Sequence, residues 1–146
     1  MVRDPAFLVE DDDRLLRILE SARTIAVVGL SADARRPSHD VASYLQSCGY
    51  RIVPVNPHET EVLGVPSVAS LHQVKDPIDV VCVFRRPTEV APHAAEAIAV
   101  GAKVLWLQDG VIDPASAQRA HEAGLEVVMD RCMLRDHSRL LGGRRR

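Results

Sequence analysis

Two pairs of adjacent arginines are the residues best equipped for ligand chemistry. Arg35-Arg36 lies in the loop Gly29-Leu30-Ser31-Ala32-Asp33-Ala34-Arg35-Arg36-Pro37-Ser38, and Arg85-Arg86 lies in Phe84-Arg85-Arg86-Pro87. A guanidinium presents a planar fork of donors that matches phosphate oxygens and stacks on purine faces. Gly29 follows an apolar run and allows backbone to approach a ligand closely. A helix beginning near Pro37 or Ser38 would turn free N–H groups and a positive dipole end toward a phosphate, with the Ser38 hydroxyl as a further donor. The same loop also reads as an ordinary turn with a surface arginine pair and a capping serine. The second loop has its own plain alternative, a solvated charged segment in which Pro87 leads into a helix capped near Thr88. Held at one sheet edge, with Phe84 or Pro87 as an apolar wall, the two loops together favour a polyanionic nucleotide.

Groups able to act as nucleophile or metal ligand are sparse. Cys132 follows Asp130-Arg131 at the start of a predicted helix, where a thiolate would be stabilised. It could take an acyl group from, or exchange a disulfide with, a ligand thiol; it also reads as a small residue packed under a cleft. His137 stands roughly 140° further round that helix, so contact with Cys132 does not follow from spacing. The histidines at 39, 58, 72, 93, 121 and 137 form no His-Glu-x-x-His or other metal spacing, and most are assigned to the surface. No Ser-His-Asp arrangement can be argued. Neither a catalytic residue nor a metal is expected.

The elements that must position these residues alternate. Five apolar runs rich in β-branched residues, 24–29, 51–55, 78–84, 102–107 and 125–129, are unbroken rather than alternating, as in strands covered on both faces. Between them lie helical patterns. Val41, Tyr44, Leu45 and Cys48 precede Gly49, and Val90, Ala94, Ala97 and Ile98 precede Gly101. A third helix is punctuated by Asp113, Pro114 and Gly124. A first helix spans Asp11 to Ala22, on Leu15, Leu16, Ile18 and Leu19, and a last runs from about Met133 to Leu140. Residues 57–76 are the least regular stretch, with a short strand near Val62 and a short helix from Ser67 to Val74 expected. Strand–helix alternation at this spacing predicts a doubly wound α/β fold. Its sheet is mainly parallel, with five or six strands, helices on both faces and Rossmann-like topology. Residues 1–146 read as one domain with a core of about 12–141, and 142–146 as a basic tail.

In such a sheet ligands bind beyond the carboxyl ends of the strands, near the point where strand order reverses. The residues following each apolar run are therefore the candidates: Gly29, Leu30 and Ser31 with Arg35, Arg36, Pro37 and Ser38; Asn56 and Pro57; Phe84, Arg85, Arg86 and Pro87; and Gln108 and Gly110. The first loop is not a Gly-x-Gly-x-x-Gly fingerprint. The second strand ends in Val55-Asn56-Pro57, without the carboxylate that takes ribose hydroxyls in dinucleotide enzymes. That argues against NAD and suits a ligand with an extra phosphate.

Composition limits the alternatives. The chain has 146 residues and a formal net charge of −2, which gives no reason to expect nucleic acid or an anionic membrane as partner. No apolar run approaches the roughly 18 residues that span a bilayer. The N-terminus has no apolar signal region. Cys48, Cys82 and Cys132 are odd in number and widely spaced, so free thiols in a reducing cytoplasm are expected.

Several motifs in order and spacing now carry a resemblance. They are Ala26-Val27-Val28-Gly29-Leu30-Ser31, Arg36-Pro37-Ser38, residues 49–57, Val83-Phe84-Arg85-Arg86-Pro87, residues 105–110, and Asp130-Arg131-Cys132-Met133. Over about residues 12–141 the chain resembles the small stand-alone CoA-binding proteins, whose domain is related to the N-terminal domain of the succinyl-CoA synthetase α subunit. The resemblance implies a Rossmann-like site for coenzyme A or an acyl-CoA. Gly29, Ser31 and Arg36-Pro37-Ser38 would hold phosphates, and Asn56 and Pro57 would shape the cleft floor. Phe84, Arg85, Arg86 and Pro87 would sit by the adenosine and phosphate end, with Gln108 and Gly110 along the cleft. The glycine-rich loop of the synthetase is reduced here, and no counterpart of its second, histidine-bearing domain is seen, so its chemistry is not expected. The reading that results is a non-catalytic carrier, sensor or regulatory module for a nucleotide thiol, with any protein partner undefined. An NAD(P)-binding oxidoreductase and a nucleotide-independent interaction domain are the alternatives.

Overall fold

A strand that is apolar at every position must be covered on both faces, and the burial of the sheet shows how this is done. The computed structural model describes residues 5–142. The elements run α1 (Asp12–Ser21), β1 (Thr24–Val28), α2 (Pro37–Ser47), β2 (Arg51–Val55), β3 (Glu61–Val62), β4 (Val65–Pro66), β5 (Val80–Val83), α3 (Val90–Ala99), β6 (Val104–Leu107), α4 (Pro114–Glu122), β7 (Glu126–Val128) and α5 (Met133–Leu141). Five strands form one parallel sheet in the order β2-β1-β5-β6-β7, and β3 pairs with β4 in a separate antiparallel hairpin. The architecture is α/β and Rossmann-like, as the alternation predicts.

Side chains alternate between the two faces. Ile25, Val27, Cys82, Trp106 and Val128 pack in one cluster with Leu15 and Leu19 of α1, Leu45 of α2 and Met133 of α5. Ala26, Val28, Val81, Val83, Leu105 and Leu107 pack in another with Val90, Ala94 and Ala97 of α3 and Ala117 and Ala120 of α4. Each buried aliphatic side chain contributes roughly 1.5–3 kcal/mol. Trp106 is fully buried, and its indole N–H donates to the Arg131 carbonyl at 2.9 Å, so the polar edge of this ring is satisfied. Burial strongly raises the Cys82 thiol pKa, with the nearby Cys132 adding to the effect, so Cys82 stays protonated.

Three expectations are corrected. Ser67–Val74 is not a helix. Val68 bridges in parallel to Val55, its N–H donating to the Pro54 carbonyl at 3.0 Å, so Ser67 and Val68 are extended along β2. Only Leu71–Gln73 closes a 3-10 turn, capped by Ser70 and Gln73. Thr88 is not a helix cap; it lies inside a 3-10 turn, Pro87–Glu89, that Pro87 begins and that precedes α3. Asp113 occupies the N-cap position of α4, but its carboxylate accepts from the Ser116 hydroxyl rather than from the helix backbone. Gly142 ends α5 in the left-handed conformation (φ 61°). The rest of the basic tail, 143–146, lies outside the described residues. Among the described residues no helix is long and apolar enough to cross a membrane.

Candidate functional site

Strand order reverses at β1: the chain crosses to β2 on one side and then to β5 on the other. Loops leaving the two central strands therefore diverge there, and the gap between them is where this topology leaves a crevice. A cleft of about 1170 Å³ opens at this edge. It exceeds the roughly 300–1,000 Å³ of an ordinary small-molecule pocket, which leaves room for an extended ligand.

Of the fifteen residues singled out from the sequence, twelve line this cleft: Gly29, Ser31, Arg35, Arg36, Pro37, Ser38, Asn56, Phe84, Arg85, Arg86, Gln108 and Gly110. The other three do not. Leu30 is fully buried in the core and contributes only its carbonyl, which accepts from the Asn56 amide at 3.0 Å. Pro57 and Pro87 are exposed at the starts of turns, outside the lining.

The loop after β1 is held largely by its own side chains. The Ser31 N–H donates to the Ser38 hydroxyl at 3.1 Å, and the Asp33 N–H donates to the Ser31 hydroxyl at 3.0 Å. The Arg35 N–H donates to the Asp33 carboxylate at 2.9 Å, and the Arg36 N–H to the Asp33 carbonyl at 3.0 Å. Pro37 then starts α2 at its first turn, where a missing N–H does no harm. The Asn56 carboxamide spans the ends of β1 and β2, donating to Leu30 and accepting from the His58 N–H at 2.9 Å. Gly29 (φ 84°) has a further task. A side chain there would collide with the Phe84 carbonyl, so the glycine admits the end of β5 rather than open space.

Charge in the cleft is uneven. Arg35 is held by Asp33 at 3.0 Å, Arg85 by Glu89 at 3.0 Å, and Arg135 by Asp109 at 2.9 Å. The Arg35 guanidinium holds the Asp33 carboxyl below its ordinary pKa. Arg36 and Arg86 are exposed and line the cleft with no carboxylate partner among the described residues. The Arg85 Nε–H is buried and lacks an acceptor among the described residues. On the far wall, the buried Gln108 carboxamide accepts from the Met133 N–H at 2.8 Å and so caps α5. The Gly110 N–H donates to Asp130 at 2.7 Å.

Cys132 lines the cleft at the N-cap of α5. His137 lies elsewhere. It is fully buried, an exception to the surface placement expected for most of the histidines, with Nδ1 2.8 Å from the Tyr44 hydroxyl and 4.0 Å from Cys48 Sγ. It sits on the α2 side of α5 because that face of the helix is buried, and burial lowers its pKa. Several lining residues escaped the sequence reading, notably Glu59, Val111, Leu134 and Arg135. Arg135 was foreshadowed, since it lies one turn into the helix behind the marked strand-end Asp130-Arg131-Cys132. Glu59 had no signal in the least regular stretch of the chain.

A family model described as a CoA binding domain matches residues 23–138, from the residue before β1 to the middle of α5. This chain belongs to the CoA-binding domain family. It is 42% identical over 121 residues to the uncharacterized protein YneT of Bacillus subtilis (strain 168), covering 83% of this chain and 90% of that protein. A solved structure, a hypothetical protein from Pyrococcus horikoshii OT3, is 37% identical with a TM-score of 0.90, covering 97% of this chain and 99% of that one. The fold alone is shared with part of the dinucleotide-forming acetyl-coenzyme A synthetase 1 of Ca. Korarchaeum cryptofilum, solved with phosphate and ADP. That likeness has a TM-score of 0.69 and 24% identity, over 80% of this chain and 27% of the synthetase. The cleft described above therefore lies in a CoA-binding domain, at the edge where that fold opens.

Proposed function

We propose that the cleft binds coenzyme A or an acyl-CoA, and that the protein acts as a non-catalytic carrier, sensor or regulatory module in a cytoplasmic setting. One observation carries the reading. Arg36, at the start of α2, and Arg86, after β5, come from distant parts of the chain, yet both line one cleft without a carboxylate partner among the described residues. Two unpaired guanidinium groups on a protein of net charge −2 amount to a local demand for an anion. The buried, unpaired Arg85 Nε–H adds a third donor. Asn56, where a dinucleotide enzyme would hold its ribose-binding carboxylate, has both ends of its amide engaged within the protein. Phe84 and Val111 supply apolar wall for the uncharged arm of the ligand.

Isothermal calorimetry tests the proposal. Arg36→Ala and Arg86→Ala should each weaken CoA binding by roughly tenfold, the loss expected for one charge-assisted hydrogen bond. Dephospho-CoA should bind more weakly than CoA to the native chain, because the extra phosphate is what free guanidiniums favour. Native mass spectrometry of protein purified from cells should show a co-purifying species of CoA mass. Unchanged affinity in both variants would remove the site, and tight binding of NADPH with none of CoA would favour the oxidoreductase reading instead.

A further inference from the structure

The Ala32 N–H, in the loop after β1, donates to the Glu59 carboxylate at 2.6 Å. Within residues 31–36 five amides have acceptors among the described residues, at 31, 32, 33, 35 and 36, and four of those acceptors belong to the loop or to the first turn of α2. Of these five, the acceptor of Ala32 alone comes from elsewhere, 27 residues along the chain. Glu59 lines the cleft, half-buried, and makes no ion pair among the described residues, although Arg36 lines the same cleft. A carboxylate is thus seated on a backbone amide at the mouth of a cleft that Arg36 and Arg86 line without an ion pair among the described residues, as does the exposed carboxylate of Asp40. The other four bonds cannot open without rebuilding the loop, whereas Glu59 can swing away at the cost of one surface hydrogen bond.

We propose that Glu59 is an internal competitor for the ligand's phosphate: its carboxylate and the phosphate take the Ala32 amide in turn, and a bound phosphate displaces Glu59. The inference rests on the reading of the cleft as a site for a phosphorylated ligand and names the residue that sets its affinity. A carboxylate left beside a phosphate repels it, so the same residue sharpens selection. Ligands with enough phosphate to displace Glu59 bind, and sparsely charged nucleosides gain nothing from the loop amide. Net hydrogen-bond energies of this kind correspond to a change in affinity of roughly three- to tenfold.

The test compares the native chain with Glu59→Gln and Glu59→Ala, titrated with CoA, inorganic pyrophosphate and adenosine. Glu59→Gln keeps the shape and a neutral acceptor, whereas Glu59→Ala removes both. Both variants should bind CoA and pyrophosphate more tightly than the native chain, by roughly three- to tenfold, with adenosine unchanged. In ¹⁵N-resolved NMR the Ala32 amide of the free protein should shift in both variants, and pyrophosphate should move the native Ala32 amide toward its position in Glu59→Ala. Weaker binding in Glu59→Ala with native affinity in Glu59→Gln would make Glu59 a brace for the loop and overturn the proposal. Equal pyrophosphate affinity in all three proteins would overturn it as well. If CoA binds none of them while pyrophosphate still discriminates, the choice of CoA fails and the role of Glu59 stands.

Discussion

Gly29 shows how much one residue can carry at a strand end. Its φ of 84° is a conformation L-residues adopt only with strain, and the space a side chain would fill is taken by the Phe84 carbonyl. Gly29→Ala should therefore lower stability by about 2 kcal/mol or more, read as a fall in the urea midpoint with an unchanged slope. A variant of native stability would mean that β1 and β5 are free to part at their ends. The same glycine lines the cleft, so the position expected to let backbone approach a ligand also admits the protein's own backbone at Phe84. The arginines divide in a similar way. Arg35 and Arg85 belong to ion pairs, and their neighbours Arg36 and Arg86 have none among the described residues. Adjacency in sequence could not separate them, because the separation depends on where Asp33 and Glu89 fall in three dimensions.

At the scale of elements, α5 links the cleft to the core. Its first turn is capped by Gln108 and carries Cys132 to the cleft wall, while its buried face sets His137 against Tyr44 and Tyr50. Burial lowers the His137 pKa from the ordinary 6.5. A folded pKa below the unfolded one means that the unfolded chain binds the proton first. The contribution is complete above pH 6.5 and is lost as pH falls below it. Thermal unfolding should accordingly show stability falling between pH 6.5 and the lower native pKa, by up to about 1.4 kcal/mol per pH unit for this histidine. His137→Gln should be less stable at neutral pH but flatter across that window. His93, lowered chiefly by burial, contributes a slope of the same sign. An unaltered pH profile in His137→Gln would show that α5 does not hold its histidine neutral.

The whole molecule protects both sheet edges. Beside β2, Val68 bridges to Val55, and beside β7 the Val9 N–H donates to the Val127 carbonyl at 2.9 Å, with Leu8 and Val9 buried. Uncovered parallel edges invite pairing with another chain. Removing the chain through Val9 should uncover β7 and delete the buried side chains of Leu8 and Val9, lowering stability by roughly 3–6 kcal/mol and promoting aggregation visible by light scattering. A truncated protein that stays soluble and equally stable would show that the segment is dispensable. The same layout places the cleft, since both edges are closed and the reversal at β1 is where the loops of the central strands part.

Much of this was legible in the residues themselves. Unbroken β-branched runs at regular spacing, with glycines and prolines between them, allow few solutions other than a parallel sheet covered on both faces. In such a sheet the residues after each run must gather at one edge. Within 57–76 the short strand near Val62 is present as β3, but the extended run at Ser67 and Val68 was not legible, because a single bridge to β2 leaves no periodic trace. Glu59, inside that loop, was hidden for the same reason. Local patterns are written in neighbouring side chains, so the elements and the cleft-facing loops follow from order along the chain. Which arginine is neutralised, which amide is occupied and which histidine is buried depend on contacts between residues far apart in sequence, and only the packed structure decides those.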